Sequence, residues 1–128
     1  MEIFSLLAPA YKFGDVAYKC FEVSKHPKLN AGIPDDVLVI EDAIPLDDLE
    51  RVRSAYEHYL ESDSIVPFLE LLGGNPVVCI GIGAENHGKL YYYDHDFRLF
   101  PMEGSLEEFL KSLKDWDKPW GKKSDSGD

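Results

Sequence analysis

Between residues 65 and 113 the chain reads IVPFLELLGGNPVVCIGIGAENHGKLYYYDHDFRLFPMEGSLEEFLKSL, and this stretch restricts the fold more than any other. Apolar blocks alternate with turn chemistry at Gly73-Gly74-Asn75-Pro76, Asn86-His87-Gly88 and Glu103-Gly104. Residues 77–82 are β-branched and apolar, residues 89–93 repeat that character, and residues 97–100 form a shorter run, so three strands are expected. Glycines 81, 83 and 88 with Asn86 predict a hairpin-like turn between the first two. Residues 65–72 fit a helix or a strand by periodicity, and Pro67 is tolerated at a first helical turn or on an edge strand. Ser105-Leu106-Glu107-Glu108 spells a capping box, in which the serine and the glutamate three residues on each accept the other's amide proton. The helix it opens places Leu106, Phe109, Leu110 and Leu113 on one side.

Upstream, residues 46–60 read as the clearest helix. Leu49, Val52, Tyr56, Tyr59 and Leu60 fall on one face, with Asp48, Arg51, Glu57 and Glu61 opposite. Asp47 followed by Glu50 resembles a capping box with Asp in place of Ser. Residues 37–40 are a β-branched strand candidate between Pro34-Asp35-Asp36 and Glu41-Asp42. Residues 15–24 fit a helix through positions 17, 20, 21 and 24, or a strand through 16, 18 and 20; a helix started by Asp15 is expected. His26-Pro27 then ends it, and Asn30-Ala31-Gly32 reads as a turn. Residues 2–8, stopped by Pro9, fit either element. A length of 128 residues is read as one domain over residues 1–114. Residues 115–128 are expected as a tail, disordered from 121, with Trp116 and Trp120 able to fold back on the body.

Charge narrows the function. The chain carries −11 at neutral pH. Residues 34–63 hold ten carboxylates against Arg51 and Arg53, a net of −8, whereas residues 111–128 hold five lysines against four aspartates. A field this acidic repels nucleic acid and anionic membrane and steers basic partners inward. The plain alternative is solubility and a solvated helix face. Cys20 and Cys79, both in apolar runs, read as small core residues rather than a disulfide. The first residues lack a basic segment, and no apolar run reaches membrane-spanning length, so a cytoplasmic protein is expected.

Chemistry finds little support. Gly81-Ile82-Gly83 with Gly88 matches neither dinucleotide fingerprint nor P-loop, because no Lys-Ser/Thr pair follows and a strand comes next. Alternation along Asp94-His95-Asp96 sends the aspartates to one side and His95 to the other, which suits a strand-end turn better than one ion. No serine stands on an exposed sharp turn beside a base, and pairing Cys79 with His87 or His95 would need an exposed thiol. No catalytic, cofactor-binding or metal-binding residue is therefore assigned. Tyr91-Tyr92-Tyr93 with Phe97 and Phe100 is the densest aromatic patch, Tyr91 and Tyr93 sharing one strand face and Tyr92 the other.

The order of these segments resembles the C-terminal half of the SUKH superfamily, which includes fungal cell-wall-synthesis regulators and bacterial toxin-immunity proteins. Val66-Pro67-Phe68-Leu69 leads into Leu72-Gly73-Gly74-Asn75, followed by Val78-Cys79-Ile80-Gly81. Gly88-Lys89-Leu90-Tyr91-Tyr92-Tyr93-Asp94-His95-Asp96 comes next, and Ser105-Leu106-Glu107-Glu108-Phe109-Leu110 closes the series. In the first half the family's usual Leu-Pro start is missing. Phe13-Gly14-Asp15 with Tyr18 and Phe21, then Asn30-Ala31-Gly32, stand where its opening helix and turn would be. The resemblance implies that residues 65–72 are a strand paired with 77–82. It also implies a single α+β domain, a mainly antiparallel sheet with helices packed against it, whose motif residues are scaffold.

It implies, too, a non-enzymatic protein-binding function, expected here as an immunity protein that neutralises a toxin. A basic toxin domain, such as a nuclease, would be met by an acidic surface, since complementary charge speeds association. Asp47, Asp48, Glu50, Glu57 and Glu61 are the expected contacts, and Tyr92 an aromatic anchor. The alternatives are a regulatory interaction module with no toxin and, further off, a small hydrolase or metal enzyme.

Overall fold

The computed structural model describes residues 2–13, 15–60, 64–73, 76–96 and 98–116. Among them the β-branched and aromatic runs form seven strands: β1 (Lys19–Glu22), β2 (Val37–Ala43), β3 (Ile65–Leu71), β4 (Val77–Gly81), β5 (Leu90–Asp94), β6 (Arg98–Pro101) and β7 (Lys114–Asp115). All join one sheet in the order β6-β5-β4-β3-β2-β1-β7, each neighbouring pair antiparallel. The helices are α1 (Glu2–Phe13), α2 (Pro27–Gly32), α3 (Leu49–Leu60) and α4 (Leu106–Lys111). This is the expected α+β arrangement, with β3 paired to β4 as the resemblance implied.

Side-chain alternation divides the core between the two faces of the sheet. Val78, Ile80, Leu90 and Tyr92 enter the larger cluster with Leu7 and Ala10 of α1, Leu29 of α2, and Leu106, Phe109 and Leu110 of α4. Val77, Cys79 and Tyr93 take the other face with Ile65 and with Leu60 of α3. Tyr91 and Leu99, half-buried, pack at the margin of this second cluster. Each of these apolar side chains contributes about 1.5–3 kcal/mol when fully buried, so the larger cluster dominates folding.

Three local expectations are corrected. Residues 15–24 form no helix: β1 and a 3₁₀ turn (Val23–Lys25) occupy them. Pairing to β2, with Cys20 opposite Val39 and Phe21 opposite Leu38, overrides the weak helical pattern. The Asp15 carboxylate accepts the Ala17 amide proton at 3.0 Å, an Asx turn in place of a helix cap. Asn30-Ala31-Gly32 belongs to α2, which Pro27 opens from the first helical position, where a missing N–H costs nothing. Helix α1 runs through Pro9; Leu7, Ala10 and Tyr11 lie on its sheet-facing stripe, and the Tyr11 hydroxyl donates to the Ile44 carbonyl. Strand β7 carries the sheet one residue past the expected domain limit at 114. Trp120 and the expected tail from 117 onward lie outside the described residues.

Two contacts fix the helices on the larger cluster. A Cβ at Gly32 would stand 2.3 Å from the Phe100 ring, so this end of α2 packs on β6 only because the residue is glycine. His26, 6% exposed, accepts the Glu103 amide proton on Nδ1 at 2.9 Å and meets the Phe21 ring edge-on. That bond joins the start of α2 to the connection between β6 and α4. It requires neutral imidazole nitrogen, and burial pushes the His26 pKa down against the opposing charge of Glu103. The unfolded chain therefore takes up this proton first, and stability present above about pH 6.5 is lost as pH falls. The expected capping box is formed, Ser105 Oγ accepting from Glu108 N–H at 3.1 Å and Glu108 Oε1 from Ser105 N–H at 2.9 Å.

Thermal melts from about pH 7.5 to about pH 5.5 should show a falling Tm in the wild type and a flatter profile in His26→Gln. Ser105→Ala should lower the unfolding free energy by about 1 kcal/mol in denaturant titrations; an unchanged midpoint would mean that the box does not hold α4.

Candidate protein-interaction surface

Helix α3 is entered through a 3₁₀ turn (Leu46–Asp48) whose Asp48 N–H donates to the Pro45 carbonyl at 2.9 Å. The backbone closes this entry with Pro45 at the cap position of the turn, and among the described residues the Asp47 side chain accepts no hydrogen bond, so Asp47 does not take the expected capping role. Asp47, Asp48 and Glu50 still sit at the positive end of the helix, which favours carboxylates there.

The expected contact residues mostly face solvent. Asp47, Glu50 and Glu57 are exposed and Asp48 is half-buried, while Glu61 lies outside the described residues. Glu50 and Glu57, two helical turns apart, share one flank of α3. Arg51 pairs with Asp48 at 3.5 Å and Arg53 with Glu50 at 3.4 Å. Exposed i,i+3 pairs of this kind contribute about 0.3–0.5 kcal/mol each. Among the described residues no ion pair engages Asp47 or Glu57. Asp35, Asp36 and Glu41 are exposed as well. On the sheet, exposed Asp42 stands opposite exposed Glu70 in the β2–β3 register, and like charges directly opposite destabilise a strand pair. This charge works against the fold rather than for it.

Tyr92 is not available as an anchor. Strand alternation turns it into the larger cluster at 2% exposure, and its hydroxyl donates to Asp94 Oδ2 at 2.8 Å. Burial first, then the Asp94 hydrogen bond, drive its pKa far up. Among the described residues one exposed aromatic group lies where α3 meets the turn between β5 and β6; two others, Phe13 at the end of α1 and Tyr18 before β1, lie elsewhere. Tyr59, expected on the core face of α3, falls at the margin of that face and is 48% exposed. Its ring meets His95 edge-on at 4.7 Å, and Tyr56 stacks on His95 with 13° between the planes. Tyr93, on the sheet beneath, meets Tyr56 edge-on at 6.0 Å and places its hydroxyl 3.3 Å from His95 Nδ1. Burial raises the Tyr56 phenol pKa, and the charge of Glu70 adds to the rise. Only the spacing of Tyr56 and Tyr59 was visible in the sequence; the histidine and the glutamate come from other elements.

The remaining motifs act as structure. Asn86 organises the β4–β5 connection, accepting the Gly83 amide proton on Oδ1 at 2.8 Å and donating to the Ser64 carbonyl at 3.2 Å. The amides of Gly81 and Gly88 also donate within this connection, and a Cβ at Gly81 would stand 2.1 Å from the Asn86 carbonyl oxygen. Asp94 ends β5 and accepts the Asp96 amide proton at 2.6 Å, the expected strand-end turn. Among the described residues no three His, Cys, Asp or Glu side chains converge to hold a metal ion. No helix among them is long and apolar enough to cross a membrane.

Residues 15–114 match the model of the RhsPI family. The chain belongs to this family of Rhs-associated immunity proteins. The match runs from the turn before β1 to the first residue of β7, so it contains α3 and the turn after β5. Bacterial toxin-immunity proteins have a toxin protein as their partner. No curated protein matches the chain.

Both cysteines are unbridged, Cys20 half-buried and Cys79 fully buried. Burial raises the pKa of each thiol, and for Cys20 the nearby Lys114 charge partly opposes the rise. A thiol-reactive dye should therefore modify Cys20 slowly in the native protein and reach Cys79 only on unfolding. Labelling at Cys79 as fast as at Cys20 would contradict the packing of the second cluster.

Proposed function

We propose that this RhsPI-family protein neutralises an Rhs toxin by binding its toxic domain directly, without catalysing a reaction, and that its acidic face meets a basic surface on that domain. The observation that carries this reading is the cluster of carboxylates at the start and along one flank of α3, of which Asp47 and Glu57 engage no ion pair among the described residues. Two exposed ion pairs contribute at most about 1 kcal/mol together. The like-charged pair Asp42 and Glu70 stands opposed to folding stability, which suits a surface shaped by a partner. Asp47, Asp48, Glu50 and Glu57 are the proposed contacts; Glu61 extends the same segment in sequence. A toxin that cleaves nucleic acid is basic around its active site, and carboxylates spaced along a helix can occupy the positions of phosphates there.

The resemblance of residues 65–113 to the SUKH superfamily points to the same class, since that group also contains toxin-immunity proteins. The reading places the protein in the reducing cytoplasm, which fits two cysteines that are unbridged.

Stopped-flow and equilibrium binding to the toxic domain of an Rhs protein test the reading. Association should slow by roughly tenfold or more between about 50 and about 500 mM NaCl. Asp47→Lys with Glu50→Lys should slow it further and flatten the salt dependence. Tight association that ignores both salt and charge reversal would refute the electrostatic interface, and no binding at all would refute direct neutralisation.

A further inference from the structure

The rings where α3 meets the β5–β6 turn brace one another. Tyr59 stands edge-on to His95 and 6.5 Å from Tyr56, Tyr56 lies parallel to His95, and Tyr93 supports both from the sheet. Rings held this way lose little further rotamer freedom when a partner arrives, so they form a preorganised surface. Only Tyr59 extends well into solvent, at 48% exposure. Tyrosine is among the residues most enriched at binding hot spots.

Sheet register ties this surface to charge. Asp42 stands opposite Glu70, Glu70 opposite Val77, and Val77 opposite Tyr93. Paired residues of an antiparallel sheet share a face. Two exposed carboxylates thus lie in the same cross-sheet row as the ring beneath Tyr56, on the side covered by α3. Among the described residues no ion pair engages either of them. The partner chemistry that satisfies such a surface carries a positive charge for Asp42 and Glu70 and a flat group for the electron-rich ring faces. Guanidinium has both; ammonium has only the first.

We propose that this junction is the anchor of the interface and receives an arginine side chain of the toxin, its guanidinium plane against the Tyr59 and Tyr56 rings and its N–H groups directed to Glu70, with Asp42 in the next strand adding to the negative field. The proposal rests on the direct-binding reading above and adds the hot spot to it. The carboxylates of α3 then serve steering, while the ring junction determines how long the complex lasts.

Two experiments on the full chain separate this proposal from the reading beneath it. In the first, the protein is titrated with a hexa-arginine peptide and, separately, a hexalysine peptide, and the side-chain NMR signals of Tyr56, Tyr59 and His95 are followed. Saturable shifts at these rings, stronger with arginine and lost in Tyr59→Ala, are expected. Shifts confined to Asp47, Asp48, Glu50 and Glu57, without the rings, or equal for both peptides, would overturn the proposal whatever the toxin does. In the second, dissociation of the toxin domain is timed. Tyr59→Ala and Glu70→Gln should each speed it about tenfold or more with little change in association, while Tyr59→Phe, which keeps the ring, should match the wild type. Wild-type binding with unchanged dissociation of Tyr59→Ala would overturn the anchor alone. Absence of wild-type binding would refute direct neutralisation, and the peptide titration would then decide the arginine site by itself.

Discussion

The pairing of β4 with β5 is the constraint on which the rest of the structure depends. It sets Val78 opposite Tyr92 and Val77 opposite Tyr93, and alternation then assigns successive tyrosines to opposite faces. Tyr92 closes the larger core, under α1, α2 and α4. Tyr93 supports the smaller cluster under α3. A register slip of one residue would exchange them, burying His95 and the α3 rings against the wrong side and exposing the larger core. The surface chemistry is therefore a consequence of the same ladder that gives the protein its stability.

A division of labour between the two faces follows. One face carries three helices and most of the buried apolar side chains. Helix α3 adds Leu49 and Val52 to the larger cluster and Leu60 to the smaller one, and Tyr91 and Leu99 remain only half-buried at the edge of the latter. Charge follows the same division: the carboxylates of α3 and the opposed pair Asp42 and Glu70 belong to the lightly covered side. Stability is concentrated where no partner is needed, which leaves the other side free to hold like charges and braced rings that contribute little to folding.

Much of this was legible in the chain. The turn residues and the β-branched runs between them placed β4 through β6, and Ser105 with Glu108 placed α4, because these signals are local; β3 fitted helix or strand equally and only the family resemblance made it a strand. What the sequence hid was what depends on partners distant in the chain. Residues 19–22 became a strand through β2, against a helical pattern of similar strength. Tyr92 was expected at the interface because tyrosines favour interfaces, yet its direction is fixed by register, which composition does not reveal. His95 read as a turn residue and Glu70 as one charge among many. Their association with Tyr56 and Tyr59 arises only once α3 lies across the sheet. The acidic stretch was visible throughout, and its standing changed when Arg51 and Arg53 proved to be paired with Asp48 of the preceding 3₁₀ turn and Glu50 of the same helix.

The central claim is that the α3 side of the sheet is the surface that meets the toxin. Hydrogen exchange of the full chain, with and without the toxin domain, addresses it most directly. The account predicts added protection in α3 and in the turn that carries His95, with α1, α2 and α4 unchanged. Protection confined to α1 and α4, or to the outer strands β6 and β7, would contradict it.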